Sequence, residues 1–382
     1  EPAIAVPAPA PKPTVEPEAA PKTKQPVGSL LTLAETVNTI HGARGVLVLW
    51  VVLVHWLPAL LERINPDLLL LYEAATPAWR FGTPGFAMVF GMGIGALGIH
   101  HYMANRSMFL TSNRFNTKLI VGGVLILGFA KLCVAAAEGQ LGDRITMSGL
   151  LYSAISFYAL AMLALPWIVW LLTRGRNRLL MIFAVGTGAA ALHLILHASL
   201  AHYQPIAPLE TIKLFLTAKY GFFRMLSFVM VGVAIGWLFR RHHESPDILR
   251  DLSLYGVVLV VLGGVGTAQA ISDGASALTF GHTHLWHLLV YAGAVTLVLS
   301  GFAWLNARGG LKNMLGKQVN AFFTASGILA LPIFVGHEVV FAIKQLFDAF
   351  HVPDAISLVI LVGGFLVLMA MAYKKLWRLV VR

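Results

Sequence analysis

Long apolar runs separated by short polar connections recur from Gly45 to Tyr373, and a helix needs on the order of 20 apolar residues to cross the hydrocarbon of a bilayer. Runs of that kind fall near 45–61, 83–101, 118–137, 148–172, 179–201, 216–239, 253–272, 283–305, 321–343 and 355–373. The expected fold is therefore all-α: a polytopic integral membrane protein of about ten transmembrane helices. Pro166 and Pro332 interrupt two of the runs and are expected to kink them, which is tolerable where neighbouring helices or water satisfy the freed carbonyls.

Composition sharpens this picture. Hydrophobic residues make up 58% of the chain and charged ones 12%, whereas a soluble domain is about a quarter charged. The formal charge of +11 does not point to nucleic acid, because the cations sit between apolar runs and not on a soluble domain. Lys and Arg alternate with the connections. One set carries Arg106 and Arg114, then Arg174, Arg176 and Arg178, then Arg240, Arg241 and Arg250, then Arg308, Lys312 and Lys317, then Lys374, Lys375, Arg378 and Arg382. The other set has little beyond Arg63, Arg80, Arg144, Lys213 and Lys344. Cations accumulate on the cytoplasmic side, so both termini are expected there, and an even number of spans follows.

Residues 1–35 are dominated by Pro and Ala and read as a disordered cytoplasmic tether ahead of a ten-helix domain at 36–382. The chain opens at Glu1 without the apolar stretch of a signal peptide, as expected of a processed chain or a piece of a longer one. Cys133 is the single cysteine and reads as a small buried residue inside an apolar run. No convincing internal repeat stands out, which weighs against a transporter, since many secondary transporters carry one.

Candidate chemistry begins in the first span, where Ile40-His41-Gly42-Ala43-Arg44-Gly45 leads into an apolar run ending at His55-Trp56. Arg44 and His55 are eleven residues apart, about three helical turns with roughly 20° left over, so they share one face. The axial rise is about 16 Å, which puts Arg44 near the cytoplasmic boundary of the predicted span and His55 near mid-membrane. An ionisable group at that depth marks a functional site or a hydrogen-bonded structural imidazole, and Arg44 alone also fits a positive-inside anchor.

The stretch Gly-Ala-Arg-Gly-Val-Leu-Val-Leu-Trp-Val-Val-Leu-Val-His, from Gly42 to His55, resembles the first helix of the acyltransferase-3 family of membrane acyltransferases. Gly82-Thr-Pro-Gly-Phe-Ala-Met-Val-Phe-Gly-Met-Gly resembles that family's second helix, Phe222 to Gly236 its glycine-containing middle helix, and Ser326 to His337 its late helix with a histidine. The resemblance spans most of residues 38–373, and a neighbouring branch of transmembrane acyltransferases is similar as well. It implies transfer of an acyl group, often acetyl, from cytoplasmic acyl-CoA to a hydroxyl of an extracytoplasmic glycan or lipid-linked sugar. It also implies His55 as the catalytic residue and a bacterial cytoplasmic (inner) membrane as the location. The family's first cytoplasmic loop carries an Arg-x-x-Arg pair for the donor; here the nearest residues are Arg106, Arg114 and Lys118, which with Arg44 form the expected acyl-CoA set.

Further polar residues populate the outward halves of the spans. His193 and His197 share a face of the fifth, His282, His284 and His287 enter the eighth, and His337 precedes Glu338 in the ninth. A pair at four-residue spacing can hold a metal, but with no carboxylate or Cys in the pattern no metal is expected, and an acceptor vestibule is the stronger reading. Glu338 is placed to orient an imidazole or to pair with Lys219 or Arg224; Lys131 is a further cation at that depth. Arg224 fits an oxyanion or an anionic acceptor as well as structural pairing. The expected site is thus His55, His337 and Glu338 for catalysis and Arg224, His193 and His284 for the acceptor. Two rival classes are a transporter or flippase with a buried His/Arg relay, and a non-catalytic subunit of a membrane complex.

Overall fold

The structure, a computed structural model, describes residues 31–65, 67–68, 82–104, 114–130, 154–200, 202–203, 207–217, 221–273, 285–307 and 314–380. Every regular element among them is helical. Six helices are long and apolar enough to cross a membrane, or seven if one bent pair is a single span, so the protein has the architecture of a polytopic membrane protein.

Helix α1 (Leu33–Ile64) starts at a capping box. The Glu35 N–H donates to Thr32 Oγ1 at 3.1 Å, and the Thr32 N–H donates to Glu35 Oε2 at 2.6 Å, which satisfies two donors at the helix end. The helix therefore begins twelve residues before the apolar run predicted at 45. Its first turns are tied down by polar contacts: Asn306 Nδ2 donates to Thr39 Oγ1 at 3.0 Å, and Asn320 Nδ2 donates to Asn306 Oδ1 at 3.0 Å. Arg44 consequently lies three turns, about 16 Å, inside α1.

The second predicted run becomes α2 (Gly82–Gly93), a single wide turn at Ile94–Gly98 and α3 (Ile99–Ala104). In the wide turn the Ile99 N–H donates to the Ile94 carbonyl, five residues back instead of four, a distortion that recurs at functional sites. α4 (Arg114–Leu125) runs into a similar segment at Ile126–Ala130, the last described part of the third run. α5 (Ala154–Arg174) passes through Pro166 without ending, and α6 (Arg178–Leu200) returns after a three-residue bend. α7 (Ala207–Thr217) precedes the sixth run, which α8 (Phe222–His242) occupies, α9 (Ile248–Ser272) covers the seventh and α10 (Leu285–Ala307) the eighth.

The ninth run, predicted as one span, is instead α11 (Met314–Ile328) and α12 (Ala330–Ala349), bent by 71° at Leu329. Pro332 explains the position of the break: it has no N–H to give to the Ile328 carbonyl, and its ring crowds that carbonyl. The ladder holds on either side, with the Leu329 N–H donating to Ala325 and the Ile333 N–H to Leu329. α13 (Asp354–Val380) covers the tenth run.

α1 is central, packed against α2, α10, α11 and α12. Several crossings are glycine-lined. A methyl added at Gly91 or Gly95 would collide with the carbonyl of Val229 or Val233 on α8, and one at Gly232 or Gly236 with that of Met88 or Met92 on α2. Small residues four apart on both helices thus let the backbones touch, the packing that replaces the hydrophobic effect inside a bilayer. Gly45 and Gly327 make the same reciprocal contact between α1 and α11. By contrast α6 and α9 expose large apolar side chains, including Phe183, Ile195, Leu254, Val261 and Val265, as lipid-facing helices do.

Candidate functional site

The central feature is a cavity of about 230 Å³ lined by Arg44 from α1, Phe86, Phe90 and Leu97 from α2 and its wide turn, and Tyr158 and Met162 from α5. Arg44 Nε is shielded from solvent and has no hydrogen-bond partner among the described residues. Gly93 lines the same cavity, and a methyl there would stand 3.8 Å from Nη1, an ordinary van der Waals distance. Arg44 is eleven residues from the start of α1 and Gly93 eleven from the end of α3, so both helices place the guanidinium about 16 Å inside the same end of the bundle.

The remaining wall is aromatic. Phe86 stacks on Phe334 of α12 at 4.9 Å between centroids, and Tyr158 meets Phe86 edge-on at 5.1 Å and Phe334 at 5.2 Å. Tyr158 Oη donates to the Thr83 carbonyl at 3.1 Å, which turns the phenol away from the role of a free donor in the cavity. Pro166 adds a polar element, because it has no N–H for the carbonyl of Met162, a residue of the wall. One turn before Arg44, the His41 ring hydrogen-bonds to the backbone of Gly327, while its Nδ1 is buried without a partner among the described residues. A single cation in a small, largely apolar chamber is suited to holding one anionic or strongly polarised oxygen whose attached group is apolar.

The predicted site residues fall unevenly on this frame. α1 is unbroken from Arg44 through His55, so His55 stands three turns further along the same helix; its side chain, like those of Glu338, Arg114 and Lys118, lies outside the described residues. Arg106, His282, His284, Lys131, Lys219 and Cys133 also lie outside them. His337 is fully buried on α12, with Nδ1 bonded to the Phe334 carbonyl and its ring against the Phe334 ring. That places it one aromatic layer behind the cavity wall.

Arg224 and His193 are brought together. His193 is buried and its Nδ1 lies 3.3 Å from the Leu216 carbonyl; a carbonyl only accepts, so Nδ1 carries the proton and Nε2 presents a lone pair with no partner among the described residues. Arg224, buried on α8 with its guanidinium 5.9 Å from the Phe228 ring, is close enough to act on the His193 charge. His197 leans on the next carbonyl, Thr217, at 3.4 Å, so both histidines cap the C-terminal end of α7. Among the described residues no group of three His, Cys, Asp or Glu side chains stands close enough to hold a metal.

Several residues of the chamber are invisible to motif reading. Phe86, Phe90, Tyr158 and Met162 look like ordinary apolar positions, and only the helix pairing reveals a shared wall, with Phe334 stacked behind it. His41 was within reach, because three residues before Arg44 on a helix is the same face. Comparisons with protein families, with characterised proteins and with solved structures find no match to this chain.

Proposed function

We propose that the chain is a membrane-bound acyltransferase of ten spans with both termini cytoplasmic. In this reading it moves a short acyl group from cytoplasmic acyl-CoA to a hydroxyl of an extracytoplasmic glycan or lipid-linked sugar in a bacterial cytoplasmic membrane. The observation that carries the reading is Arg44: an arginine whose Nε has no partner among the described residues, in an apolar chamber, on the helix that carries His55 about 16 Å further on. At about 230 Å³ the chamber is below the ~300–1,000 Å³ of pockets that enclose a drug-sized ligand. It suits the acyl end of a donor, with the phosphates left towards the end of the bundle, where Arg106, Arg114 and Lys118 are expected to hold them.

Each group then has a task. Arg44 stabilises charge on the thioester oxygen as it develops, an interaction worth most where water is excluded. His55, about 16 Å further along α1, is too distant to touch the same carbonyl and takes the proton of the acceptor hydroxyl through a relay of polar groups or water, for which imidazole has a suitable pKa with little tuning. The tetrahedral intermediate collapses with loss of the CoA thiolate, which leaves towards the donor side. His337 and Glu338 position the imidazole, and His193, His284 and Arg224 hold the acceptor. The gathering of His100, Arg174, Arg178 and Arg240 at one end of the bundle supports the cytoplasmic orientation of that end.

The test is thiol release from acetyl-CoA by the purified chain in lipid nanodiscs supplied with cell-envelope glycans. His55→Ala and Arg44→Gln, each verified as inserted and folded, are expected to abolish most of the turnover. Unchanged turnover in both would end the reading.

A further inference from the structure

We infer that the end of the bundle where α3, α5, α6 and α8 meet is a phosphate-binding site, built by His100, Arg178 and Arg240 around Trp237 with Arg174 at its rim. This inference does not rest on the reaction proposed above. The α2–α8 crossing creates the site: Gly95 lets the wide turn ride directly on the backbone of Val233 and Trp237, and one turn later His100 stacks on the Trp237 ring. The two rings are 5.1 Å apart at 19°. The guanidinium of Arg178 lies against the same indole, 5.4 Å from its centroid. Arg178 and Arg240 are both near enough to His100 to act on its charge, and Arg174, 4.3 Å from the Trp170 ring, does the same to Tyr102.

Like charges gathered in this way repel unless something negative joins them. Protein supplies nothing of the kind among the described residues: no carboxylate lies within ion-pair distance of Arg174, Arg178 or Arg240. The acids that follow α8 are engaged elsewhere, Glu244 with His243 and both Asp247 and Asp251 with Arg250. The connections at 105–113 and 308–313 contain no Asp or Glu at all.

A topological role alone would leave these cations pointing into water. Instead Arg178 Nε and His100 Nε2 are both shielded from solvent, and neither has a hydrogen-bond partner among the described residues. Arg178 also opens α6, whose N-terminal end is itself positive, an unfavourable place for a cation unless an anion sits there. A guanidinium fork and an imidazole on one indole, a second arginine within electrostatic reach of that imidazole and a helix N-terminus fit a phosphate group, whose oxygens accept several charge-assisted bonds at once. Phosphate at this position can come from an anionic lipid headgroup of the adjoining leaflet or from a soluble phosphate compound.

The experiment uses the whole chain, purified and stripped of lipid. Inorganic pyrophosphate is titrated with thermal stability as readout, and retention of phosphatidylglycerol over phosphatidylcholine is measured by native mass spectrometry. Saturable binding of either probe, weakened at least tenfold in R178Q/R240Q and preserved in R176Q/R241Q, supports the site; lipid alone assigns a headgroup, pyrophosphate alone a soluble ligand. H100A with R178K, which keeps the charge but removes the fork and the stacked ring, serves if the double glutamine variant does not fold. Binding of neither probe, or an equal loss in R176Q/R241Q, whose side chains are exposed on the same turns, would overturn it.

Discussion

Arg44 and Arg178 are both arginines whose Nε finds no partner among the described residues, yet they stand in opposite surroundings. Around Arg44 the walls are Phe86, Phe90, Leu97, Tyr158 and Met162; the Tyr158 hydroxyl is turned to the Thr83 carbonyl, and His41 adds a polar ring one turn away on α1. Around Arg178 the neighbours are an indole, an imidazole and a second guanidinium, with a helix N-terminus beneath. One environment concentrates the field of a single charge on a small polar atom attached to something apolar; the other spreads several charges over a multivalent anion. The two sites are joined by one short piece of chain. Gly93 lines the Arg44 chamber and His100 stacks on Trp237 seven residues on, about 10 Å along the axis.

Substitutions should separate the two environments. The largest effect is expected on the Arg44 side: His55→Ala should lower acyl transfer by about 10²–10⁴-fold, the usual contribution of a positioned general base, with no change in pyrophosphate binding. Arg44→Gln should cost about 10²–10³-fold in turnover, as for loss of one oxyanion donor, again leaving phosphate binding intact. Gly232→Ala strikes both sites together, because its methyl meets the Met88 carbonyl and α2 must move off α8. The expected loss is about 1–3 kcal/mol of stability, read as a lower melting temperature with both activities reduced. Arg178→Gln should weaken phosphate binding by about 1.5–3 kcal/mol while thiol release at saturating donor stays within a few-fold. The smallest change is expected for the exposed Arg176→Gln, within about 0.5 kcal/mol by every readout.

Much of the frame was legible in the chain. The predicted runs are helical where they are described, apart from Gly221 and the break at Leu329, and six or seven of the described helices have the length and apolarity that a bilayer imposes. The break at Leu329 was half legible: Pro332 announced a kink, but its 71° size depends on how α11 and α12 pack, which no local pattern encodes. The site divides in the same way. Arg44 could be singled out because it shares a helix face with His55, but its depth three turns inside α1 was missed, since the helix starts at Leu33, well ahead of the apolar run. Phe334 and Tyr158 could not be singled out, since an aromatic residue in a membrane helix carries no mark of which neighbour it will meet. The basic cluster was read as topology alone. Its cations come from three separate connections, and only the glycine-lined crossing of α2 and α8 brings them to one tryptophan.

The most direct test of the central claim, that the Arg44 chamber receives the acyl end of the donor, is a protection measurement on its wall. In a Cys133→Ser background, Leu97→Cys places a thiol at the chamber, and its reaction with a small maleimide is followed in nanodiscs with and without acetyl-CoA. The account predicts labelling that acetyl-CoA slows in a saturable manner and that free CoA slows less. Labelling at one rate under all three conditions would contradict it.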